Sequence, residues 1–145
     1  MSKVVQTLKQ IQADSIVFYM KIHNLHWNVE GTLFKPIHEM TEEIYDDFAD
    51  VFDDTAERLL QIGEKPLVTL AESLKLSKIK EESATKFKGE QVLKIILTDY
   101  EYFVKQFRTL SDEADKAGDT TTADYANGIL AKLEKSIWML KAQLA

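Results

Sequence analysis

The stretch GEKPLVTLAESLKLSKIKEESATKFKG, residues 63–89, decides the fold, because it lies between two pairs of long predicted helices. Within each pair the connection is only about six residues or fewer, and connections that short join antiparallel neighbours. A connection as long as residues 63–89 rarely lacks secondary structure of its own. Its segment LVTLAESLKLSKI predicts a short helix, so we expect an all-α four-helix bundle whose long crossover carries a short extra helix.

The four long helices follow from apolar residues at spacings of three and four. Gly31, Gly63 and Gly118 stop the first three helices, and Asp119 or Thr120 is a suitable N-cap for the fourth. The predicted helices cover about residues 4–29, 36–62, 90–116 and 119–145. A four-helix bundle with one long crossover is the ferritin-like topology.

The composition limits the class of protein. With 145 residues the chain is expected to be one domain over residues 1–145, and 45% hydrophobic residues with only 5 Gly and 2 Pro argue against disorder. The absence of cysteine excludes disulfides, thiolate metal sites and cysteine nucleophiles. No apolar run approaches the roughly 20 residues of a membrane span, and MSKVVQTLKQIQADS does not resemble a signal peptide, so a cytoplasmic location is expected.

The net charge of −6 is concentrated on the second helix. Between Pro36 and Glu57 there is no Lys or Arg, whereas the rest of the chain has 18 basic and 15 acidic residues. On a helical wheel these carboxylates fill one face, and apolar residues such as Ile44 and Phe48 fill the other. A solvated charged face usually mixes both signs, so this face favours contact with cations, whether ions, a mineral or a basic partner. The nine carboxylates are Glu39, Glu42, Glu43, Asp46, Asp47, Asp50, Asp53, Asp54 and Glu57.

Histidines stand beside these carboxylates and form half-sites with them. His38 and Asp53 are 15 residues apart, which is about 22 Å along one helix, so they cannot bind the same ion within one chain. His38 pairs with Glu42 at i, i+4, with His26 close by on the preceding helix, and Asp53 pairs in the same way with Glu57. Two chains packed antiparallel about a two-fold axis would join these half-sites into two identical mixed sites per dimer.

The ligand types limit the metal. Imidazole and carboxylate without thiolate suit iron, manganese or zinc rather than copper(I). A di-iron site inside one bundle needs Glu-x-x-His on two helices, a motif that this sequence lacks, so a site between subunits is favoured. A histidine on a core face is often only structural. We take His26 and His38 as ligands and assign His23 to the surroundings of the site.

Several motifs in this region resemble those of the Dps family, the bacterial mini-ferritins. The stretch KIHNLHWNVEGTLFKPIHEMTEEIYDDFADVFDDTAERLLQIGEKPLVTL matches the family pattern of His-Trp-Asn-Val, a His twelve residues later, Asp-x-x-x-Glu-Arg and Gly-x-x-Pro. The similarity extends to SIWMLKAQLA at the C-terminus. It is strongest to the neutrophil-activating protein branch, through QADSIVFYMK, EEIYDDFADVFDDTAER and DYEYF, and it covers essentially the whole chain.

The resemblance implies a shell of twelve subunits that oxidises Fe(II), preferably with hydrogen peroxide, and stores the ferric mineral inside. It also implies the ferroxidase ligands, which would be His26 and His38 from one subunit with Asp53 and Glu57 from its two-fold partner. Glu42 replaces the Asp of many members and is a further candidate ligand. Zinc or manganese can occupy the same ligands.

Further residues receive expected roles beside the ligands. Trp27 stands where the family has an aromatic residue that intercepts radicals, with a packed core tryptophan as the plain alternative. Mineral nucleation is expected at acids next to the ligand face, namely Glu39, Glu43, Asp46 and Asp50. Family resemblance also implies acidic pores near the start of the fourth helix. It points to Asp119 and Asp124, although acids are ordinary at a helix start.

Two other functions remain open on the sequence alone. Many family members bind DNA through a lysine-rich tail, but here only Lys3 precedes the first helix and the chain ends at Ala145 without a basic extension. DNA binding is therefore expected to be weak at most. The alternatives are a DNA-compacting protein, or a host-interaction protein whose acidic helix meets a basic partner, with iron chemistry secondary in either case.

Overall fold

Five α-helices make up most of residues 2–145, the part of the chain that this computed structural model describes. The predicted long helices and the short crossover helix are confirmed, and each long helix begins and ends within a few residues of the predicted bounds. In chain order the elements are α1 (Lys3–Asn28), β1 (Val29–Glu30), α2 (Phe34–Gln61), α3 (Leu70–Leu76), β2 (Phe87–Lys88), α4 (Gly89–Lys116) and α5 (Thr120–Leu144).

The strand pair β1 and β2 is the element that the sequence does not predict. The two strands are parallel, with Val29 opposite Phe87 and Glu30 opposite Lys88. Two residues are too few to produce an alternating pattern, and the pairing depends on where the crossover returns in space. Val29 and Phe87 are buried, so this short pair fixes the end of the crossover beside the end of α1.

Contacts within the described chain group it into two compact units, one of Lys9–Val92 and one that joins the N-terminal residues through Leu8 to Leu93–Ala145. In the first unit, ring contacts show that α1 and α2 are antiparallel. Phe18 lies 4.6 Å from Phe48, and His26, eight residues further along α1, lies 3.7 Å from His38, ten residues back along α2. The predicted hairpin of the first two helices is therefore confirmed.

The crossover is held to α1 by polar side chains. Gln12, only 1% exposed, donates from its Nε2 to the Leu67 carbonyl at 2.9 Å and accepts at its Oε1 from the Leu67 N–H at 2.9 Å. Buried Asp14 accepts from the Lys78 N–H at 2.7 Å, and Asn24 donates to two carbonyls further along. These bonds satisfy backbone groups that a long connection would otherwise leave without partners.

The short helix α3 begins at a capping box. The Thr69 hydroxyl accepts from the Glu72 N–H, and the Glu72 carboxylate accepts in return from the Thr69 N–H. Hydrogen bonds from the Val68 N–H and then from Thr69 lower the pKa of Glu72 from its ordinary value. The Thr-x-x-Glu spacing explains why a helix of seven residues starts here.

The apolar face of α2 is buried as its pattern predicts. Its core members are Ile37, Ile44, Phe48, Val51 and Leu59, whereas Met40, Phe52 and Ile62 are half-buried. The same face also buries Thr41 and Thr55, both 0% exposed.

The second unit contains the other antiparallel pair. Phe107 of α4 lies 6.2 Å from Tyr125 of α5, and the Ser111 hydroxyl donates to Asn127 Oδ1 at 2.8 Å. The predicted stripe of α4 is buried from Ile96 to Leu110. Across residues 2–145, no helix combines the length and the apolar character that crossing a membrane requires.

Gly89, the first residue of α4, occupies a place too tight for a side chain. An added Cβ would lie 2.7 Å from Ile37 Cδ1 and 2.9 Å from Leu33 Cβ. We expect Gly89→Ala to lower the free energy of unfolding by about 1–3 kcal/mol in chemical denaturation, because overpacking forces neighbouring atoms to shift.

The matched control is Gly128→Ala in α5, where nothing lies within 4 Å of the added Cβ. This change should raise the free energy of unfolding by about 0.5–1 kcal/mol, because Ala loses less backbone entropy in a helix. If Gly89→Ala were as stable as the original chain, the close approach of Ile37 and Leu33 to Gly89 would be contradicted.

Candidate metal site

The helix α2 separates the predicted ligands into two groups. It runs without interruption through 28 residues, with His38 and Glu42 near its start and Asp53 and Glu57 near its end. Continuous helical geometry keeps His38 and Asp53 about 22 Å apart. A single chain therefore presents two separate ligand groups, which we call the histidine end and the carboxylate end of α2.

At the histidine end, the rings of His26 and His38 stack on each other, with centroids 3.7 Å apart and planes inclined by 14°. The last turn of α1 supplies His26, and Gly31, with φ of 105°, turns the chain sharply towards α2. This tight turn allows the two residues, which are on different helices, to face each other.

The two histidines also form reciprocal hydrogen bonds with each other's backbone. Nδ1 of His26 lies 2.7 Å from the His38 carbonyl oxygen, and Nδ1 of His38 lies 2.9 Å from the His26 carbonyl oxygen. A carbonyl can only accept, so each Nδ1 carries the hydrogen and donates it. In the neutral rings the lone pair is then on Nε2, the arrangement that a metal-binding imidazole needs.

Burial keeps His26 neutral. Its side chain is 6% exposed, and this loss of solvation lowers the pKa of His26 from its ordinary value, although the hydrogen bond to the His38 carbonyl acts in the opposite direction. At pH 7 the imidazole is therefore uncharged and can offer its lone pair to a cation.

Tyr45 connects the third predicted ligand of this end to the histidines. Its ring stacks on His23 at 4.0 Å and lies edge-on to His26 at 5.3 Å, and its hydroxyl donates to Glu42 Oε1 at 3.3 Å. Partial burial and then the negative charge of Glu42 raise the pKa of Tyr45, so the hydroxyl remains a donor at neutral pH. Tyr45 is not among the predicted site residues, although its i, i+3 spacing from Glu42 is a signal that the sequence contains.

His23 and Trp27 surround the histidine end. Nδ1 of His23 donates to the Tyr19 carbonyl at 2.7 Å, and its ring lies 5.5 Å from that of Trp27. Trp27 is 57% exposed, so within this chain it is not a packed core tryptophan.

At the carboxylate end, three exposed side chains converge. Asp53, Asp54 and Glu57 each offer an oxygen, and these oxygens all lie within 4.8 Å of one another. Asp54 is absent from the predicted ligand set, because the i, i+4 pairing of Asp53 with Glu57 takes no account of the residue between them. Within residues 2–145, no other set of three His, Asp or Glu ligand atoms converges as closely.

The other predicted acids lie outside these two groups. The four nucleation candidates are exposed along α2, and Lys35 Nζ approaches the Glu39 carboxylate at 3.9 Å. Asp119 is half-buried and caps α5, where its carboxylate accepts from the Thr122 N–H at 3.0 Å. Asp124 is exposed. The nucleation candidates are Glu39, Glu43, Asp46 and Asp50.

Comparison with known proteins shows the same fold and similar sequences over the whole chain. The ferritin-like domain family matches residues 5–145. Over 143 residues the chain is 54% identical to the DNA protection during starvation protein of Helicobacter pylori, and the match covers 99% of each protein. The crystal structure of Helicobacter cinaedi CAIP superposes with a TM-score of 0.98 and 59% identity, over 99% of this chain and 100% of that one.

A further solved structure is that of Dps from Listeria innocua soaked with cobalt. It superposes with a TM-score of 0.95 and 32% identity, over 99% of this chain and 93% of that one. The similarity thus includes every helix that carries the histidine and carboxylate ends. Because both the sequence and the backbone match over this extent, the chain belongs to the Dps family of ferritin-like proteins.

Proposed function

We propose that this protein is a ferroxidase and an iron-storage protein. It oxidises Fe(II), preferably with hydrogen peroxide, and holds the ferric mineral inside a shell of twelve copies, which protects the cell against oxidative stress. The observation that carries this proposal is the division of α2 into a histidine end with two free Nε2 atoms and a carboxylate end with three converging oxygens. Imidazole with carboxylate is a donor set suited to Fe(II) and Fe(III).

Each complete site is formed by two copies of the chain. His26 and His38 of one copy, with Glu42, face Asp53 and Glu57 of a second copy related by a two-fold axis, and the reverse arrangement forms the second site. An exposed apolar surface between α1 and α3 supports such a dimer. Met20, Trp27, Leu70 and Leu74 line a cavity of about 460 Å³ there and are each more than half exposed.

The reaction needs no group beyond these side chains and the two substrates. The Nε2 atoms and carboxylates bind Fe(II), and the negative oxygens stabilise the higher charge of Fe(III), which favours loss of an electron. Two Fe(II) ions each give one electron, hydrogen peroxide takes both together with two protons, and two water molecules form. Because both electrons are taken as a pair, no free hydroxyl radical is released.

The same ligands accept other divalent ions. Zinc and manganese fit imidazole with carboxylate, and the Listeria innocua relative was soaked with cobalt. Cobalt is therefore a practical probe of the site in the absence of redox chemistry.

Loss of one ligand from each end tests the site. We expect the double variant His38→Ala, Asp53→Ala to oxidise Fe(II) at least about tenfold more slowly than the original chain. Loss of a residue that only hydrogen-bonds to a metal ligand already lowers metal affinity or activity about 10–100-fold, and these two residues are the proposed ligands themselves. Initial rates after addition of hydrogen peroxide to anaerobic Fe(II)-loaded protein measure this. Asp112→Ala, which removes an exposed carboxylate from α4, is the control. Unchanged oxidation by an assembled double variant would refute the site.

Mineral growth depends on a different set of acids. Changing all four nucleation candidates to Gln or Asn should leave the initial oxidation rate within about twofold but lower the iron stored per shell, because Fe(III) loses its surface for nucleation. The stored iron is measured by elemental analysis after repeated additions of Fe(II) and peroxide. An unchanged iron content would exclude these residues, which are Glu39, Glu43, Asp46 and Asp50.

Iron entry depends on acids near the start of α5. We propose that Asp124, and to a smaller extent Asp119, form rings of negative charge around a three-fold passage. Asp124→Asn should slow iron uptake at low Fe(II) and low ionic strength, and salt should diminish the difference, because it screens the attraction. Asp119 is a poorer test because its carboxylate caps α5. If iron uptake at low ionic strength does not change, Asp124 has no role in iron entry and is an ordinary acidic residue at the start of a helix.

DNA binding is a second candidate function, since relatives are named DNA protection during starvation proteins. Outside residues 36–57 the chain has 18 basic and 15 acidic residues, and this small positive excess permits a weak contact between the folded surface and phosphates. A gel shift at physiological salt decides whether this contact exists. A cytoplasmic location and a host-interaction role stay predictions.

A further inference from the structure

Thr41 is a polar residue on the apolar face of α2, and its hydroxyl contacts the His26 ring. Its side chain is 0% exposed, and its Oγ1 lies 3.0 Å from Nδ1 of His26. Valine has nearly the same shape and would suit an apolar face, so packing does not account for the hydroxyl. The presence of a hydroxyl at this buried position therefore requires another explanation.

The direction of the hydrogen bonds gives that reason. The Thr41 hydroxyl has one hydrogen, and its nearest acceptor is the Ile37 carbonyl at 2.7 Å, with the His38 carbonyl at 3.1 Å as the other choice. Either bond leaves a lone pair of Oγ1 free to accept from the His26 Nδ1–H. His26 therefore donates into a pair of acceptors, the His38 carbonyl at 2.7 Å and the Thr41 hydroxyl at 3.0 Å.

This pair of acceptors fixes the orientation of the His26 ring. If the ring turned over about its Cβ–Cγ bond, a carbon would replace Nδ1 between the two oxygens, and both hydrogen bonds would be lost. Because Thr41 and His26 are buried, water could not readily restore those bonds. The ring is thus held with its hydrogen on Nδ1 and with Nε2 on the opposite side.

His38 is held in a different way. It is half-buried, its Nδ1 donates to the His26 carbonyl at 2.9 Å, and the ring of Phe34 stacks on it at 5.0 Å. A change at Thr41 thus acts first on His26.

We propose that Thr41 is a positioning residue for metal binding, which aims Nε2 of His26 at the bound Fe(II). This inference rests on the proposed function. It adds a residue that does not touch the metal and acts only through the histidine, as partners of metal-bound imidazoles do.

The decisive comparison is between Thr41→Val, which removes the hydroxyl and keeps the shape, and Thr41→Ser, which keeps the hydroxyl. We expect Thr41→Val to weaken Co(II) binding about tenfold in anaerobic titrations followed by visible absorption, the lower end of the range for such partners. In Fe(II) oxidation the half-saturating Fe(II) concentration should rise similarly, while the rate at saturating Fe(II) stays within about twofold. Thr41→Ser should bind Co(II) like the original chain.

Thr7→Val is the control for the loss of a buried hydroxyl. Thr7 is also buried, and its hydroxyl donates to the Glu113 carboxylate at 3.0 Å, in the other unit of the chain. This variant should bind Co(II) normally. If Thr41→Val does not assemble, Thr41→Ala and Thr41→Ser provide the comparison, because they differ by the hydroxyl oxygen alone.

Each result supports or overturns the inference. Weaker Co(II) binding by the variant without a hydroxyl, with recovery in Thr41→Ser, supports it. Normal Co(II) binding by Thr41→Val, or equal losses in Thr41→Val and Thr41→Ser, overturns it. If His38→Ala still weakens Co(II) binding in that case, the proposed function stands. If His38→Ala binds Co(II) as well as the original chain, the proposed function fails, and this inference fails with it.

Discussion

The unbroken length of α2 is the constraint on which the rest of the molecule depends. One helix carries both ligand groups, and helical geometry keeps them about 22 Å apart, so neither end can complete the other within a chain. The histidine end offers two imidazoles and one nearby carboxylate, and the carboxylate end offers three converging oxygens. A site that joins the two ends, as in the proposed function, therefore requires two chains.

This arrangement has an energetic consequence for α2. Like charges at i, i+4 destabilise a helix by about 0.2–0.5 kcal/mol per pair. One face of α2 carries nine carboxylates, and the sequence has no Lys or Arg between Lys35 and Arg58. The opposite face offsets this by burying Ile44, Phe48 and Leu59 among other apolar residues. Bound cations would relieve the remaining repulsion. In the proposed function, the same carboxylates that weaken the free helix favour iron on its surface.

The sequence predicts most of the fold and indicates the candidate ligands, for physical reasons that differ between them. Helices of 25 residues or more leave repeated apolar spacings, and the unequal connections give the topology. The strand pair of Val29 with Phe87 is too short to leave a pattern. His26 and His38 stand out as candidate ligands because histidine is a distinctive ligand residue and the two are close in the chain.

Other parts of the candidate site depend on which side chains meet after folding, and the sequence shows this only in part. Tyr45 contacts the rings of two histidines, and Thr41 makes one hydrogen bond to a different helix. Asp54 joins its neighbours only because the side chains on the last turns of α2 converge. In each case the residue type is ordinary, and any role in the proposed site comes from the side chains that folding brings next to it.

The most direct test of a site shared between two chains is complementation in mixed shells. Chains carrying His38→Ala and chains carrying Asp53→Ala are co-expressed with different tags, and shells containing both are isolated. In a dimer of one chain of each kind, one shared site has both defects and the other has none. With random pairing, roughly a quarter of all sites are intact. A shared site predicts that mixed shells regain roughly a quarter of the original Fe(II) oxidation rate, well above either single variant. Mixed shells no more active than the single variants would contradict it.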